Sequence, residues 1–556
     1  MKKALALALA LLMLLALVAC GGGGNTPAPS GGGDTPATQA PSGGGTPATQ
    51  APSGGGDKPA PQDTPSGGPS DETLSVASTV DYGNLNPLSI SSVGYDAINC
   101  CMETLWECGL YDAYDDVRLR LAESLEADPN DPLHYTVKLK KGVTFSNGSE
   151  FKANDFMFSL KMYRDDTGFY ATMKTRWCDF DKTKQVDDYT LELYTIQPDV
   201  TFQSVVAQIY MFDEETFDPD TVSEGPIGTG PYVITEYVIN SHTVVERRDD
   251  YWDTLPYFKT ITFHVIAEPS QRINALETGL VDVAPVDLAD KAYVEEDLGL
   301  KTIPREGDAV ILSLNTAATN EKMNNPVARA AICHAVDREA INQMVYYGLG
   351  RIMCAPWPNV IRGFTDDMKN LGVYTEGYNL ELAKKEAEES GLVGKTLICV
   401  NNGNATQVTV CEMIQDMLTQ IGVTLELQSY DAATAYSITN EADGFDLSVG
   451  TFVGGNYLIG DQFKSLDMNK ISVDPANWVG DSGKRFYEIV AKVHSSIDEE
   501  RLPVLKECMD LYIGNVSRLG LVEYDSYLAV PAKLNVDEYW TRVLTTYYFR
   551  DFAYVE

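Results

Sequence analysis

Histidine is scarce in this chain. Its five copies, His134, His242, His264, His334 and His494, lie far apart, and no HExxH pair occurs, which excludes a zinc-protease helix of that kind. No GxSxG turn is present to expose a serine nucleophile. Gly394-Lys395-Thr396 is similar to the end of a phosphate-binding loop, but Glu389 stands where the first glycine is needed. His334 and Asp337 sit one turn apart in a predicted helix and read as its polar face. Positive charge is also in short supply: 42 Lys and Arg against 80 Asp and Glu give a formal charge of -38. Such a balance argues against nucleic acid as a partner and against electrostatic docking on an anionic membrane. No compact disulfide framework is visible either. Past Cys20 there are nine cysteines, at 100, 101, 108, 178, 333, 354, 399, 411 and 508; the number is odd and the spacing scattered. Export would permit disulfides, yet the pattern fits buried free thiols better. Cys100, Cys101 and Cys108 are close in sequence but lack paired CxxC units or a nearby His. Neither a metal nor a cofactor is expected.

What the chain does have is a distinctive start. Lys2 and Lys3 precede an apolar run from Ala4 to Ala19, too short and too early for a comfortable membrane span. A charged n-region, an apolar h-region and a small residue before a cut site read as a secretory signal over 1–19. Leu17-Val18-Ala19-Cys20 resembles the lipobox of bacterial lipoproteins, which implies lipidation of Cys20 and cleavage after Ala19. From Cys20 to residue 70 follows a Gly/Pro/Ser/Thr-rich stretch with a repeated unit, GGGDTPATQAPS and then GGGTPATQAPS. It offers little to an apolar core and is expected to be a disordered tether. A flexible coil of about 50 residues reaches roughly 35–45 Å, so the remainder is expected outside the cytoplasm and near a membrane.

Residues 71–556 are too many for one ordinary core and suggest two or three lobes. Alternation predicts strands over Thr73–Thr79, Tyr135–Leu139, Tyr189–Ile196 and Ile261–Ile266, and a hairpin of Tyr232–Val238 with Thr243–Arg247. Helices are predicted over Ala97–Trp106, from Asn154 as cap to Tyr163, and over Gln271–Thr278. In the second half Val310–Asn315 reads as a strand, and Asn325 with Pro326 opens a helix running to Tyr347. Leu380–Ser390 is a helix closed by Gly391. A strand (Thr396–Val400), a helix (Gln407–Gln420) and a strand (Val423–Gln428) make a β-α-β unit. Tyr487–Ser495 and Leu502–Tyr512 carry helical spacing. Alternating β and α over this length argues for α/β lobes.

Several blocks, taken in order, carry a family resemblance. They are Leu121–Ser124; Tyr135–Gly148, with YTVKLKKGVTFSNG; Lys152-Ala153-Asn154-Asp155 with Phe158-Ser159-Leu160; and Gly228-Thr229-Gly230-Pro231-Tyr232 followed by Arg247, Arg248, Tyr251 and Trp252. Arg272, Ala275, Leu276, Gly279 and Asp282 come next, then Leu314-Asn315-Thr316, Val327–Ile332 and Ala335–Glu339. Over residues 73–556 the chain resembles family 5 of the extracytoplasmic solute-binding proteins, the oligopeptide-, dipeptide- and nickel-binding components of ABC importers. The resemblance implies a two-lobed periplasmic-binding-protein-like α/β fold, the large three-subdomain variant of type II, with a cleft between lobes. It implies lobe I from 71–303 and 500–556 with a small inserted subdomain at about 107–224, and lobe III from 304–499. The crossings are expected near Pro304–Val310 and Ile497–Pro503.

The resemblance also implies a function: a monomer, anchored through the Cys20 lipid on the outer face of a Gram-positive cell membrane, catches a peptide or peptide-like solute. Lobe closure hands the solute to ABC permease subunits worked by cytoplasmic ATPases, with no covalent chemistry. Solute contacts are expected from Tyr82, Asn84 and Asn86 on the first loop of lobe I, from Tyr210, and from Trp357. A further set is expected from the loop after Phe445–Gly450, namely Phe452, Gly455, Asn456, Tyr457 and Asp461. Peptide-binding relatives carry a tryptophan and an acid there, the acid pairing with the peptide's α-amino group. Here Phe452 takes the tryptophan's place and Gly455 the acid's. A buried ammonium without a countercharge is costly, so unless Asp461 reaches in, a blocked or absent amino group is implied. A nickel chelate, an oligosaccharide or another solute remains open, as does a peptide-sensing surface receptor that does not transport.

Overall fold

The computed structural model describes residues 68–555 except 82, 89–95, 109–116, 167–173, 200–201, 318, 362, 453–462, 464–473, 479, 494–497 and 537–546. All of these described residues belong to one compact unit, Asp63–Glu556.

The chain enters on β1 (Thr73–Ser78). After the helix Asp96–Cys101 comes a short antiparallel pair, β2 (Trp106–Cys108) and β3 (Val117–Leu119). Next, β4 (Ala122–Ala127), β5 (His134–Leu139), β6 (Lys184–Asp187) and β7 (Thr190–Tyr194) build a four-stranded sheet in the order β4-β5-β7-β6. Then β8 (Tyr232–Val238), β9 (His242–Arg247) and β10 (Thr260–Val265) return to β1, in the order β1-β10-β9-β8 with β1 parallel to β10. A seven-stranded sheet takes the rest. Its members are β11 (Ala284–Val286), β12 (Lys301–Leu314), β13 (Arg351–Ile352), β14 (Thr396–Asn401), β15 (Thr424–Ser429), β16 (Leu447–Phe452) and β17 (Arg518–Val530). The order is β11-β17-β12-β16-β14-β15, with β13 beside β17.

Local signals placed many elements well. Asn325 accepts a hydrogen bond from the Val327 amide at 3.0 Å and caps the helix Pro326–Ala335, as cap chemistry requires. The helix Leu380–Ser390 stops at Gly391, whose φ of 72° is left-handed. The β-α-β unit is β14, the helix Ala405–Thr419 and β15, in parallel register from Thr396 opposite Thr424.

Three expectations need correction. The helix expected over Ala97–Trp106 stops at Cys101. The Thr104 hydroxyl donates to the Trp106 carbonyl at 2.7 Å, and Trp106 pairs with Leu119 as a strand. Asn154 is not the cap of its helix, which spans Ala153–Asp165. Asp155 instead accepts from the Lys152 amide at 2.8 Å, and Asn154 reaches Glu214 at 2.9 Å. The single helix expected to Tyr347 is two, because Asp337 accepts from the Ala340 amide at 3.0 Å and starts a second, Arg338–Val345.

Two large apolar cores follow. One gathers β1, the helix Asp96–Cys101 and the two four-stranded sheets around Leu74, Trp106, Phe145, Phe156 and Tyr232. The other gathers β12, β14, β16 and their helices around Leu312, Ile332, Leu397, Ile414 and Leu447. A third, smaller core holds Trp357, Phe463, Trp478, Phe486 and Tyr512. Strand β17 serves two of them: Leu528 and Val530 lie in the first core, Leu519 and Leu521 in the second. Strand β12 does the same, with Ile303 against the first and Val310 and Leu312 in the second.

Candidate functional site

The two strands shared between cores pair along most of their length, from Lys301 opposite Val530 to Ser313 opposite Arg518. Their register breaks between Arg305 and Asp308, at Glu306-Gly307. Gly307 has φ 89°, a conformation that favours glycine. A bulge of this kind bends and twists a ladder at one point, and this one lies where the chain passes from one core to the other.

Charge gathers at the same place. Arg305 Nη2 holds Asp308 Oδ2 at 2.6 Å, and Asp308 is buried. On β17, Glu523 is only 1% exposed. One of its oxygens accepts from Arg351 Nη2 at 2.9 Å and the other from the Asn359 amide at 2.9 Å. Asp525 accepts from Arg351 Nη2 at 2.7 Å and from Nη1 at 3.1 Å. Arg351 stays half-exposed and has two carboxylates for its one charge. Between these pairs the Tyr346 and Tyr524 rings stack at 4.8 Å. Burial, with Tyr346 and Asp308 beside it, pushes the Tyr524 hydroxyl well above its usual range, so it stays a neutral donor. The sequence reading missed this cluster. Apart from Arg305 and Asp308, its partners stand more than 160 residues apart, and no local spacing signals a pairing of that length.

The predicted site residues fall in several places. Cys20, Tyr82, Gly455, Asn456, Tyr457 and Asp461 lie outside the described residues. Asn84 and Asn86 are half-buried after β1. The side-chain oxygen of Asn84 accepts from the Asn86 amide at 2.9 Å, and that of Asn86 from the Leu88 amide at 3.0 Å. These are consecutive Asx turns. Tyr210 is buried in the first core and donates to Asn99 Oδ1 at 2.5 Å. Trp357 is buried against Phe463 and Tyr512 with the Arg518 guanidinium 5.3 Å over its ring. Its indole nitrogen has no hydrogen-bond partner among the described residues. Phe452 ends β16 opposite Ala309, just past the bulge, and packs on the Trp357 core. The structure therefore brings Trp357 and Phe452 together on the third core, while Asn84, Asn86 and Tyr210 belong to elements of the first core.

A cavity of about 750 Å³ also occurs, lined by His334, Val373, Glu386 and Ile513 among others. All its walls come from residues 334–516, and among them Val373 and Val516 belong to the second core and Ile513 to the third. Among the described residues no group of three or more His, Cys, Asp or Glu is arranged to hold a metal ion. No helix of the described residues is long and apolar enough to cross a membrane.

Comparison with known proteins adds four findings. The model of a family described as bacterial extracellular solute-binding proteins, family 5 middle, matches residues 116–466. The oligopeptide-binding protein AppA of Bacillus subtilis is 25% identical over 344 residues, which cover 56% of this chain and 61% of that one. The glutathione-binding protein GsiB of Pectobacterium atrosepticum is 26% identical over 380 residues, 65% of this chain and 70% of that one. The match thus spans about three fifths of the AppA sequence. The solved structure of Bacillus subtilis AppA with a nonapeptide superposes with a TM-score of 0.73 at 20% identity, covering 89% of this chain and all of that one. At that identity the likeness speaks for the two-lobed α/β fold.

Proposed function

Given that the chain belongs to family 5 of the bacterial extracellular solute-binding proteins, we propose that it is the solute-capturing component of an ABC importer, taking a peptide or peptide-like solute. The observation that carries this reading is the family match across 116–466, joined to a fold whose two large cores share β12 and β17. Binding by closure needs two rigid bodies and a bendable connection. The bulge at Glu306-Gly307 supplies a place for the bend. On this reading the first lobe holds 71–303 and the C-terminal end with the small subdomain at about 107–224. The larger lobe begins at 304, and its return crossing is better drawn along β17 than at Ile497–Pro503, since the helix Asp498–Gly514 packs in the Trp357 core. Solute would lie between Asn84 and Asn86 on one side and Trp357 and Phe452 on the other. The Trp357 indole N–H, which has no hydrogen-bond partner among the described residues, is a donor that a solute carbonyl would satisfy. Solute contacts to both lobes favour the closed state, and a permease pair reads that state. The Cys20 lipid and the 21–70 tether would hold the protein at the membrane.

The test is thermal denaturation of the purified chain with di-, tri- and oligopeptides, the same peptides N-acetylated, glutathione, Ni²⁺ chelates and oligosaccharides. A ligand at about 100 times its dissociation constant adds about 2.7 kcal/mol to stability, so a clear upward shift with peptides is expected. The absence of an acid at position 455 predicts that N-acetylation does not abolish the shift. Stabilisation by sugars or chelates alone would overturn the peptide reading.

A further inference from the structure

We infer that Cys399 and Cys411 are a disulfide-forming pair, a covalent modification site inside the β-α-β unit of the larger lobe. Their sulfurs lie 3.6 Å apart. Cys399 is on β14, hydrogen-bonded between β15 and β16 at the centre of its sheet region. Cys411 is in the helix Ala405–Thr419, which follows β14 directly and packs back on it. Both side chains are wholly buried, so no solvent separates them. A disulfide needs a sulfur separation of about 2.05 Å. The gap closes by a movement of about 1.5 Å. Nothing polar has to be broken beyond the long contact from Asn401 Nδ2 to Cys411 Sγ, at 3.7 Å. A protein exported from the cell meets an environment in which such bonds persist.

The chemistry is thiol–disulfide exchange with a small-molecule disulfide such as oxidised glutathione. One cysteine thiolate attacks a sulfur of the oxidant, whose S–S bond breaks and releases one thiol. The second cysteine thiolate then attacks the protein sulfur of that mixed disulfide, forming the Cys399–Cys411 bond and releasing the second thiol. Both cysteine protons end on the two released thiols, and the oxidant is reduced by the two electrons the cysteines lose. The contact with Cys411, and then burial, push the Cys399 thiol well above its ordinary range. Thiolate is therefore scarce in the folded chain, and the bond forms while the chain folds. Once made, it ties helix to strand across twelve positions of sequence.

Full-length chain, unfolded and refolded in oxidised and reduced glutathione, then alkylated in denaturant and digested, gives the test by peptide mapping. The expected result is a cross-linked pair of peptides carrying Cys399 and Cys411, lighter by two hydrogens, with both sites lost to alkylation and restored by dithiothreitol. In Cys411→Ala, Cys399 is expected to become fully alkylatable. Complete alkylation of both cysteines in the refolded wild-type chain, or a glutathione adduct on either in place of the cross-link, overturns the inference. The wild-type map decides the matter whether or not the variant folds.

Discussion

Gly230→Ala is expected to destabilise the fold by about 3 kcal/mol or more, the upper part of the range for forcing atoms into a filled interior. The reason is backbone against backbone. A Cβ at Gly230 would stand 2.6 Å from the Cys101 carbonyl carbon and 2.7 Å from the Cys100 and Cys101 oxygens. At Gly228 it would stand 2.2 Å from the Cys101 oxygen. No rotamer change relieves such a contact. The end of the helix Asp96–Cys101 must move, and the bond from the Gly230 amide to the Cys101 carbonyl at 2.9 Å moves with it. Arg550 is anchored on the neighbouring Asn99 carbonyl at 2.5 Å, so the displacement spreads. Trp252 locks the same turn from outside by donating to the Thr229 carbonyl at 3.0 Å. The block Gly228–Tyr232 with Tyr251-Trp252, which marked the family in the sequence, is thus one packing device. Gly279 makes the contrast. It too belongs to a family block, but its φ is 67° and a Cβ there would meet open space, so Gly279→Ala should cost only about 1 kcal/mol of backbone strain. Urea denaturation of the two variants checks the order; equal losses would refute the packing account.

What the sequence disclosed and what it hid divide along range. Caps, stops and the hairpin are written within a few residues: Asn325 before Pro326, Gly391 after Ser390, and Asn240 with its φ of 57° between β8 and β9. The β-α-β unit was equally legible, since both strands and the helix keep their own periodicity. Trp106 was misread because its conformation is decided by Leu119 and by the partners of Glu107. The length of β12 was hidden for the same reason: Lys301–Arg305 has no clean alternation, and β17 makes it a strand from over two hundred residues away. At the candidate site the loop after β1 and the aromatic pair Trp357 and Phe452 were named from what the family resemblance implies. The Arg351, Glu523 and Asp525 cluster, which has no local pattern, was not.

Glu107→Ala is expected to cost about 3–5 kcal/mol at pH 7, the loss typical of breaking one partner out of a buried ion cluster. Glu107 is 1% exposed. It accepts from Arg118 Nε at 2.7 Å, from Arg120 Nε at 2.8 Å and from Arg550. Asp551 completes the set, taking Arg120 at 2.6 Å and Arg118 at 3.1 Å. The cluster pins the C-terminal residues Arg550 and Asp551 onto elements more than four hundred positions earlier. Without Glu107, Arg550 remains buried with backbone carbonyls but no full countercharge. Burial by itself would raise both carboxyls, but the arginines outweigh it: Glu107 is held below its ordinary value and Asp551 is held down at about 2. Both folded values lie below the unfolded ones, about 4.3 for Glu and about 3.9 for Asp. The stability they confer is therefore complete above about pH 5 and drains away as pH falls toward 2. Asp155 has the opposite sign. Burial lifts it to about 6, so its contribution is complete below about pH 4 and is lost as pH rises through 6. Comparing wild type with Glu107→Ala isolates the first effect from the second. Urea melts should show the gap between them wide at pH 7 and narrower at pH 3. A gap of constant width would mean that Glu107 acts as packing volume, and the electrostatic account of the C-terminal anchor would fall.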